Sequence, residues 1–288
     1  MIEGKKIKIF GVRSGLIGDM ITALPILDIL EQKHPDSYKI WFIQKKCSQA
    51  APLFIQHPLI DKIIISTADE EMTKEEIKLK ESCDISVNVS PPVIDDGFWY
   101  NIRNHVDESI LMAGFKPKEC LNKIPSLTKW FSVEKKIGTV AIWAFSGYGN
   151  SPQRNPTKEW WNKTCEIFIK MGLKIVQFGH DYDPLIHKSA KRFKKTSFFD
   201  QIKFSLSCDF VIGTDSGSQW VLGAYGMPQI ILFTNWLTNH WSNLESLCPI
   251  NSNGLQIRLF APSNCDNIPH QNVEIATTLL THKCQIEI

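Results

Sequence analysis

Apolar positions along this chain follow two rhythms. Short apolar-rich runs read as buried strands, and stretches with apolar positions three and four apart read as helices with one buried face. Strands are expected at 7–12, 38–43, 62–66, 84–89, 137–144, 174–178, 208–212 and 228–233. Helices are expected at 18–32, 48–56, 98–114, 158–171, 198–207, 220–226 and 272–282, with the charged segment 69–82 read as exposed helix or loop. In the first helix Met20, Ala23, Leu24, Leu27 and Leu30 recur at helical spacing, and Pro25 among them predicts a kink or a late start. Beyond Phe233 the chain reads as irregular and aromatic up to its last helix. Strand and helix thus alternate in two successive series, separated by a Pro- and Lys-rich connector at 116–136. That grammar predicts an α/β fold of two Rossmann-like, doubly wound domains facing across a cleft. The expected domains are 1–133 and 134–288, the last helix being free to pack back on the first.

The chain is organised around Gly213-Thr214-Asp215-Ser216-Gly217-Ser218. A strand precedes this polar turn and a small-residue helix follows it, the place where open α/β sheets bind ligands and where helix N–H groups favour anions. Gly217 allows close approach to the backbone, while Thr214, Asp215, Ser216 and Ser218 offer hydrogen-bonding groups. Asp and Ser are also ordinary helix caps, so this stretch alone leaves both readings open. A second candidate is Ser14-Gly15-Leu16-Ile17-Gly18-Asp19, glycine-rich after the first strand but without the spacing of a dinucleotide fingerprint. Asp19 is either a carboxylate favoured by the helix dipole or a general base. A third is the loop 147–156 running into Thr157-Lys158-Glu159-Trp160-Trp161. Thr157 is a good N-cap, and Lys158 and Arg154 are cations placed to meet a diphosphate or simply to be solvated. The basic run 187–195 is open to contact with an anionic acceptor but reads more readily as a solvated helix face, and His180, Asp181, Asp183 and His187 match no defensible metal spacing.

Composition narrows the class. With 43% hydrophobic and 22% charged residues the chain is an ordinary globular protein, and a net charge of +2 gives no case for nucleic acid. Residues 1–6 carry no signal-peptide core, and the eight cysteines stand apart without a CxxC pair. Reduced thiols in a cytoplasmic protein are expected. The nine tryptophans read as core, one or two being available to a ligand cleft.

Taken in order, the motifs resemble those of the bacterial heptosyltransferase-like enzymes, glycosyltransferase family 9, the ADP-heptose:lipopolysaccharide heptosyltransferases. Ile17-Gly18-Asp19 with Leu24-Pro25, His57-Pro58-Leu59-Ile60-Asp61, Lys158-Glu159-Trp160, Asp215-Ser216-Gly217 and Gly226-Met227-Pro228 follow the family's sequence of phrases. The resemblance spans nearly the whole chain, and its strength is collinearity. It implies the GT-B fold, with the acceptor side N-terminal and the nucleotide-sugar side C-terminal. It implies inverting, metal-independent transfer of a sugar, heptose or similar, to a hydroxyl of a glycan, lipopolysaccharide or protein acceptor. No cofactor is expected, and an ADP-linked sugar is the favoured co-substrate. Asp19 would be the base, Lys158 would neutralise the diphosphate, and Ser216 and Gly217 would hold it at the helix start. Arg154, Thr214, Asp215 and Trp220 complete the donor side, and Ser14, Gly15 and Gly18 form the loop beside the base. The expected location is the cytoplasm, with peripheral association at the inner face of the inner membrane open.

Two departures stand out. The family has His three residues beyond the motif glycine, where this chain has Trp220; its Gly-Pro-Thr after the last strand is Thr234-Asn235-Trp236 here. Both lie on the donor side. They keep two rivals in view, a non-catalytic nucleotide-sugar-binding module and a GT-B nucleotide-sugar epimerase.

Overall fold

A computed structural model describes residues 7–13, 16–68, 72–88, 105–146, 153–194, 196–234 and 255–286. They fall into two compact units, the first ending at Trp130 and the second beginning at Phe131.

The first unit holds β1 (Ile7–Arg13), β2 (Ser37–Ile43), β3 (Lys62–Ile65) and β4 (Ile85–Asn88), all parallel, in the order β3-β2-β1-β4. Its helices are α1 (Ile17–Thr22), α2 (Pro25–Lys33), α3 (Lys74–Glu81) and α4 (His105–Met112). The single helix expected at 18–32 is two. Pro25 has no N–H for a helical ladder, and it starts α2 from that helix's first position. The segment expected as a helix at 48–56 is the 3-10 turn Lys45–Leu53, with Pro52 inside it. The charged segment resolves into α3, whose start is closed reciprocally. Thr73 Oγ1 accepts the Glu76 N–H (3.3 Å), and Glu76 Oε2 accepts the Thr73 N–H (2.7 Å). The helix expected at 98–114 is seen over its second half as α4; residues 98–104 lie outside the described residues.

The phrase His57-Pro58-Leu59-Ile60-Asp61 builds the turn that ties β2 to β3. Asp61 Oδ2 accepts the Lys39 N–H (2.8 Å), and the Asp61 N–H donates to the Lys39 carbonyl (3.0 Å). His57 Nδ1 accepts the Leu59 N–H (3.3 Å), and the ring makes a second bond to the Ser126 backbone. Burial lowers the His57 pKa from 6.5 to about 4, the Ser126 bond opposing it. The folded chain therefore resists protonation that the unfolded chain accepts. Stability from this group is complete above pH 6.5 and is lost as pH falls toward 4. We expect the unfolding free energy of the first unit, read from urea titrations, to drop over that interval by an amount on the order of 3 kcal/mol, with the slope flattened in His57→Gln. A pH-independent unfolding free energy in the wild type would contradict the buried neutral ring.

The second unit holds β5 (Thr139–Trp143), β6 (Lys174–Phe178), β7 (Lys191–Arg192), β8 (Phe210–Thr214), β9 (Gln229–Thr234) and β10 (Gln256–Ala261). They form one parallel sheet in the order β10-β9-β8-β5-β6-β7. Helices α5 (Lys158–Lys170), α6 (Phe198–Ser205), α7 (Gly217–Ala224) and α8 (His270–Ile286) accompany it. Counting from β5, this is the doubly wound order in which the chain reverses direction across the sheet between its first and fourth strands. Val140, Ile142, Phe210, Ile212, Ile230 and Leu232 pack with Trp161, Cys165 and Phe168 of α5 and Val273, Ala276 and Leu280 of α8. Ala141, Trp143, Val211, Ile231 and Phe233 alternate with them and are also buried, on the opposite face. Burial on both faces is why these strands read as unbroken apolar runs. Each large side chain so buried contributes roughly 1.5–3 kcal/mol.

Two strands were not expected. β10 is a half-exposed edge strand whose mixed composition, Gln256 to Ala261, carries little apolar signal. β7 is only Lys191–Arg192, so the described part of the basic run, 187–194, is not the helix face expected there but a turn and an edge strand. Among the described residues no helix is long and apolar enough to cross a membrane.

Candidate functional site

The switch point of the second sheet lies between the carboxyl ends of β5 and β8, and the Asp215 turn stands on it. The Asp215 N–H still pairs with the Leu232 carbonyl of β9 (3.1 Å), so the sheet ladder holds the turn's first residue. Ser216 is the extended N-cap of α7, but its side chain does not cap the helix. Instead Ser216 Oγ and Ser218 Oγ share a 2.8 Å hydrogen bond. The backbone carbonyl of Ser216 accepts from Gln219 and Trp220, which fixes the first turn. A helix N-terminus with no side-chain cap offers N–H groups and the positive dipole end to an anion.

Arg154 reaches this turn across 61 residues of sequence. Its guanidinium donates to the Asp215 carbonyl through Nη2, and the same nitrogen lies 3.4 Å from Asp215 Oδ2. Both residues are 8% exposed, so the pair braces the turn from inside the protein. The segment that carries Arg154 is itself pinned from the C-terminal part of the unit. Cys265 N–H donates to the Gln153 carbonyl (3.0 Å), and Asp266 Oδ1 accepts from Thr157 N–H (2.7 Å) and Thr157 Oγ1 (3.2 Å). Thr157 caps α5 by accepting the Trp160 N–H (3.3 Å), and Trp160 Nε1 donates to the Ile268 carbonyl (3.0 Å). Lys158 therefore sits, exposed, in the first position of a helix whose start is fixed on several sides.

Of the expected donor-side residues, the structure brings Arg154, Thr214, Asp215, Ser216, Gly217 and Trp220 to this turn or the helix it begins. Trp220 is 6% exposed, a buried indole where the family phrase has His. Thr214 is fully buried at the end of β8. Asn235 and Trp236 lie outside the described residues. Sequence reasoning overlooked Gln219. Its side chain is fully buried, and neither amide atom has a hydrogen-bond partner. It also overlooked Asp266, which is 109 residues from the threonine it holds. No local signal marks either one.

In the first unit, Gly18 and Asp19 occupy the first turn of α1 beyond β1, the strand flanked by β2 and β4 where that sheet's order reverses. Asp19 Oδ2 accepts the Leu16 N–H (2.8 Å), so one carboxylate oxygen closes the start of the helix. Thr22 Oγ1 donates to the Asp19 carbonyl (2.8 Å) and meets Ser109 Oγ of α4 at 3.0 Å, which ties the helix down. Ser14 and Gly15 lie outside the described residues. The described cysteines are free thiols. Burial pushes Cys165, Cys208 and Cys265 up to about 12, so these three are not nucleophiles at neutral pH.

Two parallel α/β sheets, the second doubly wound, have the architecture of the GT-B fold. No family model matches the chain, and no curated protein matches it by sequence. Solved structures do. A family 9 glycosyl transferase from Veillonella parvula superposes with a TM-score of 0.71 over 98% of this chain and 99% of its own, at 16% identity. The E. coli ADP-heptose lipopolysaccharide heptosyltransferase II gives 0.70 over 96% and 99%, at 14% identity. E. coli heptosyltransferase WaaC with ADP gives 0.60 over 95% and 100%, at 10% identity. At these identities the likeness is one of fold.

Proposed function

We propose that the protein is a glycosyltransferase that moves a sugar from a nucleotide-diphosphate donor to a hydroxyl of a bacterial-type glycan or glycoconjugate. The observation that carries this reading is the uncapped α7 N-terminus at the switch point, braced by the buried Arg154–Asp215 pair. A diphosphate fits there because N–H dipoles at a helix start stabilise negative charge. Lys158 supplies the neutralising cation, and Ser216 and Gly217 hold the phosphate oxygens. The second unit is the donor side and the first the acceptor side, with Asp19 as the base that takes the acceptor's proton. Transfer is inverting: the acceptor oxygen attacks the anomeric carbon opposite the departing diphosphate, and the growing negative charge is met by cation and dipoles. That division of labour asks for no metal. An ADP-linked sugar is the favoured donor, since two of the structures with this fold are described as ADP-heptose and ADP-bound heptosyltransferases. The cytoplasmic side of the membrane is the proposed location.

The test is a thermal-shift screen of ADP-, GDP-, UDP- and CMP-linked sugars against wild type and Lys158→Ala. A ligand that binds only the folded chain at a hundredfold excess over Kd stabilises it by about 2.7 kcal/mol. One nucleotide class is expected to raise Tm in the wild type, with a shift at least halved in the variant. No shift from any class would remove the donor site from this reading. A second reading, a nucleotide-sugar binder without turnover, is favoured by one observation, the buried Trp220 in place of a polar His.

A further inference from the structure

Apart from the Asp215 turn, the second unit carries a groove of about 470 Å³ along the flank of α5, lined by Lys158, Asn162, Glu166, Leu185, His187 and Lys188. From its residues we infer that this groove binds a small phosphorylated saccharide. The inference shares Lys158 with the proposed donor site and does not depend on any role for Asp19 or Asp215.

One wall is a stripe of α5, Lys158, Asn162 and Glu166 being four residues apart and so on one helix face. The other wall, residues 185–188, is held rigid from below. Gln177 of β6 donates through Nε2 to the Pro184 carbonyl (2.8 Å) and accepts the Ile186 N–H at Oε1 (3.1 Å). Ile186 is fully buried in the core of the unit. His187 is 7% exposed, and its Nδ1 accepts the Ser189 N–H (3.0 Å). With Nδ1 accepting there, Nε2 is the ring nitrogen left to donate. A preformed wall of this kind lowers the ordering cost of binding.

The lining chemistry selects the ligand. Lys158 and Lys188 give two ammonium groups against one carboxylate, Glu166, so the groove favours an anion. Three-donor ammonium groups suit a phosphate monoester. Asn162 and Glu166 match the donors and acceptors of sugar hydroxyls, and Leu185, 38% exposed, offers an apolar edge to the C–H face of a pyranose. The volume lies within the range of small-molecule sites. It also exceeds what a lone phosphate fills. The basic run that sequence reading assigned to a solvated helix thus has a structural use, since His187 and Lys188 belong to it.

The test is isothermal titration of the full chain with glucose 6-phosphate, glucose and inorganic phosphate, in wild type, Lys188→Ala and Glu166→Gln. Lys188 and Glu166 are exposed, so neither change threatens folding. The sugar phosphate is expected to bind wild type more tightly than inorganic phosphate does, and glucose to bind weakest. Loss of one charge-assisted contact in Lys188→Ala is expected to weaken the sugar phosphate about tenfold. Glu166→Gln, which removes the like charge, should leave its affinity unchanged or tighter. Equal affinity for Lys188→Ala and wild type overturns the proposal, because the phosphate then sits elsewhere, as at the Asp215 turn. Absence of binding to wild type at millimolar ligand overturns it as well. Lys158 belongs to both the groove and the proposed donor site, so the two are told apart by Lys188→Ala, which should weaken the sugar phosphate and leave the nucleotide-induced Tm shift intact.

Discussion

Asp19→Asn is expected to lower turnover by about two to four orders of magnitude while leaving the donor-induced thermal shift intact. The substitution is chosen for what it keeps. Asn retains a carbonyl oxygen in the place of Oδ2, so the 2.8 Å bond from the Leu16 N–H that closes α1 can persist. It removes the charge and the basic lone pair, and with them any capacity to take the acceptor proton. If the carboxylate serves only the helix start, the variant loses a dipole interaction of about 0.3–1 kcal/mol and nothing in the rate. The two roles therefore separate in one experiment that records kcat, the donor shift and Tm together. Full turnover with a slightly lowered Tm would reduce Asp19 to a capping residue and move the base elsewhere. Absence of turnover in the wild type, with donor binding present, would favour the nucleotide-sugar binder that Trp220 keeps open.

The two roles of Asp19 also show where sequence reasoning stops. That an acidic residue opens a helix after the first strand was readable, because strand, turn and amphipathic spacing are local. That one of its oxygens is already engaged by Leu16 was not. The same divide runs through the second unit. β6 was expected at 174–178 and lies at Lys174–Phe178, since both faces are buried and the run ends at Gly179. Thr157 was legible as a cap from its place before Lys158. Asp266, which holds Thr157 from 109 residues away, left no trace in the pattern. Arg154 and Asp215 were each picked out, but for the donor. Their pairing across the switch point needs the fold to bring β5 and β8 side by side. Edge strands failed for a different reason. β10 is partly exposed and β7 very short, and neither has the apolar signal that burial on two faces writes into β8 and β9.

Gly213→Ala is expected to be the most damaging small substitution at the proposed donor side. Gly213 pairs with Trp143 where β5 and β8 adjoin, one residue before Thr214 ends the strand. A methyl group there would stand 2.3 Å from Gln219 Nε2, 2.8 Å from the Trp143 carbonyl oxygen and 3.1 Å from Trp143 Cβ. The Gln219 amide could turn aside, since it has no hydrogen-bond partner to lose. The Trp143 oxygen cannot, because it belongs to the ladder. Relief must come from parting β5 and β8 at the point where the Asp215 turn begins. Overpacking of this kind costs about 1–3 kcal/mol, and a clash with backbone belongs at the upper end. For a chain of this size that is a fall in Tm of roughly 5–10 °C. The donor-induced shift should shrink with it, since the Arg154 brace and the α7 N-terminus would move apart. Adding Gln219→Ala separates the two contacts. It removes the nearer one and a buried amide whose groups are unsatisfied, so it should cost little alone and recover part of the loss in the pair. Full recovery would mean that the glutamine, and not the strand, requires glycine at 213. A Tm unchanged in Gly213→Ala would mean that β5 and β8 can separate at the switch point without cost, and the turn would lose the rigid footing on which the donor site is argued.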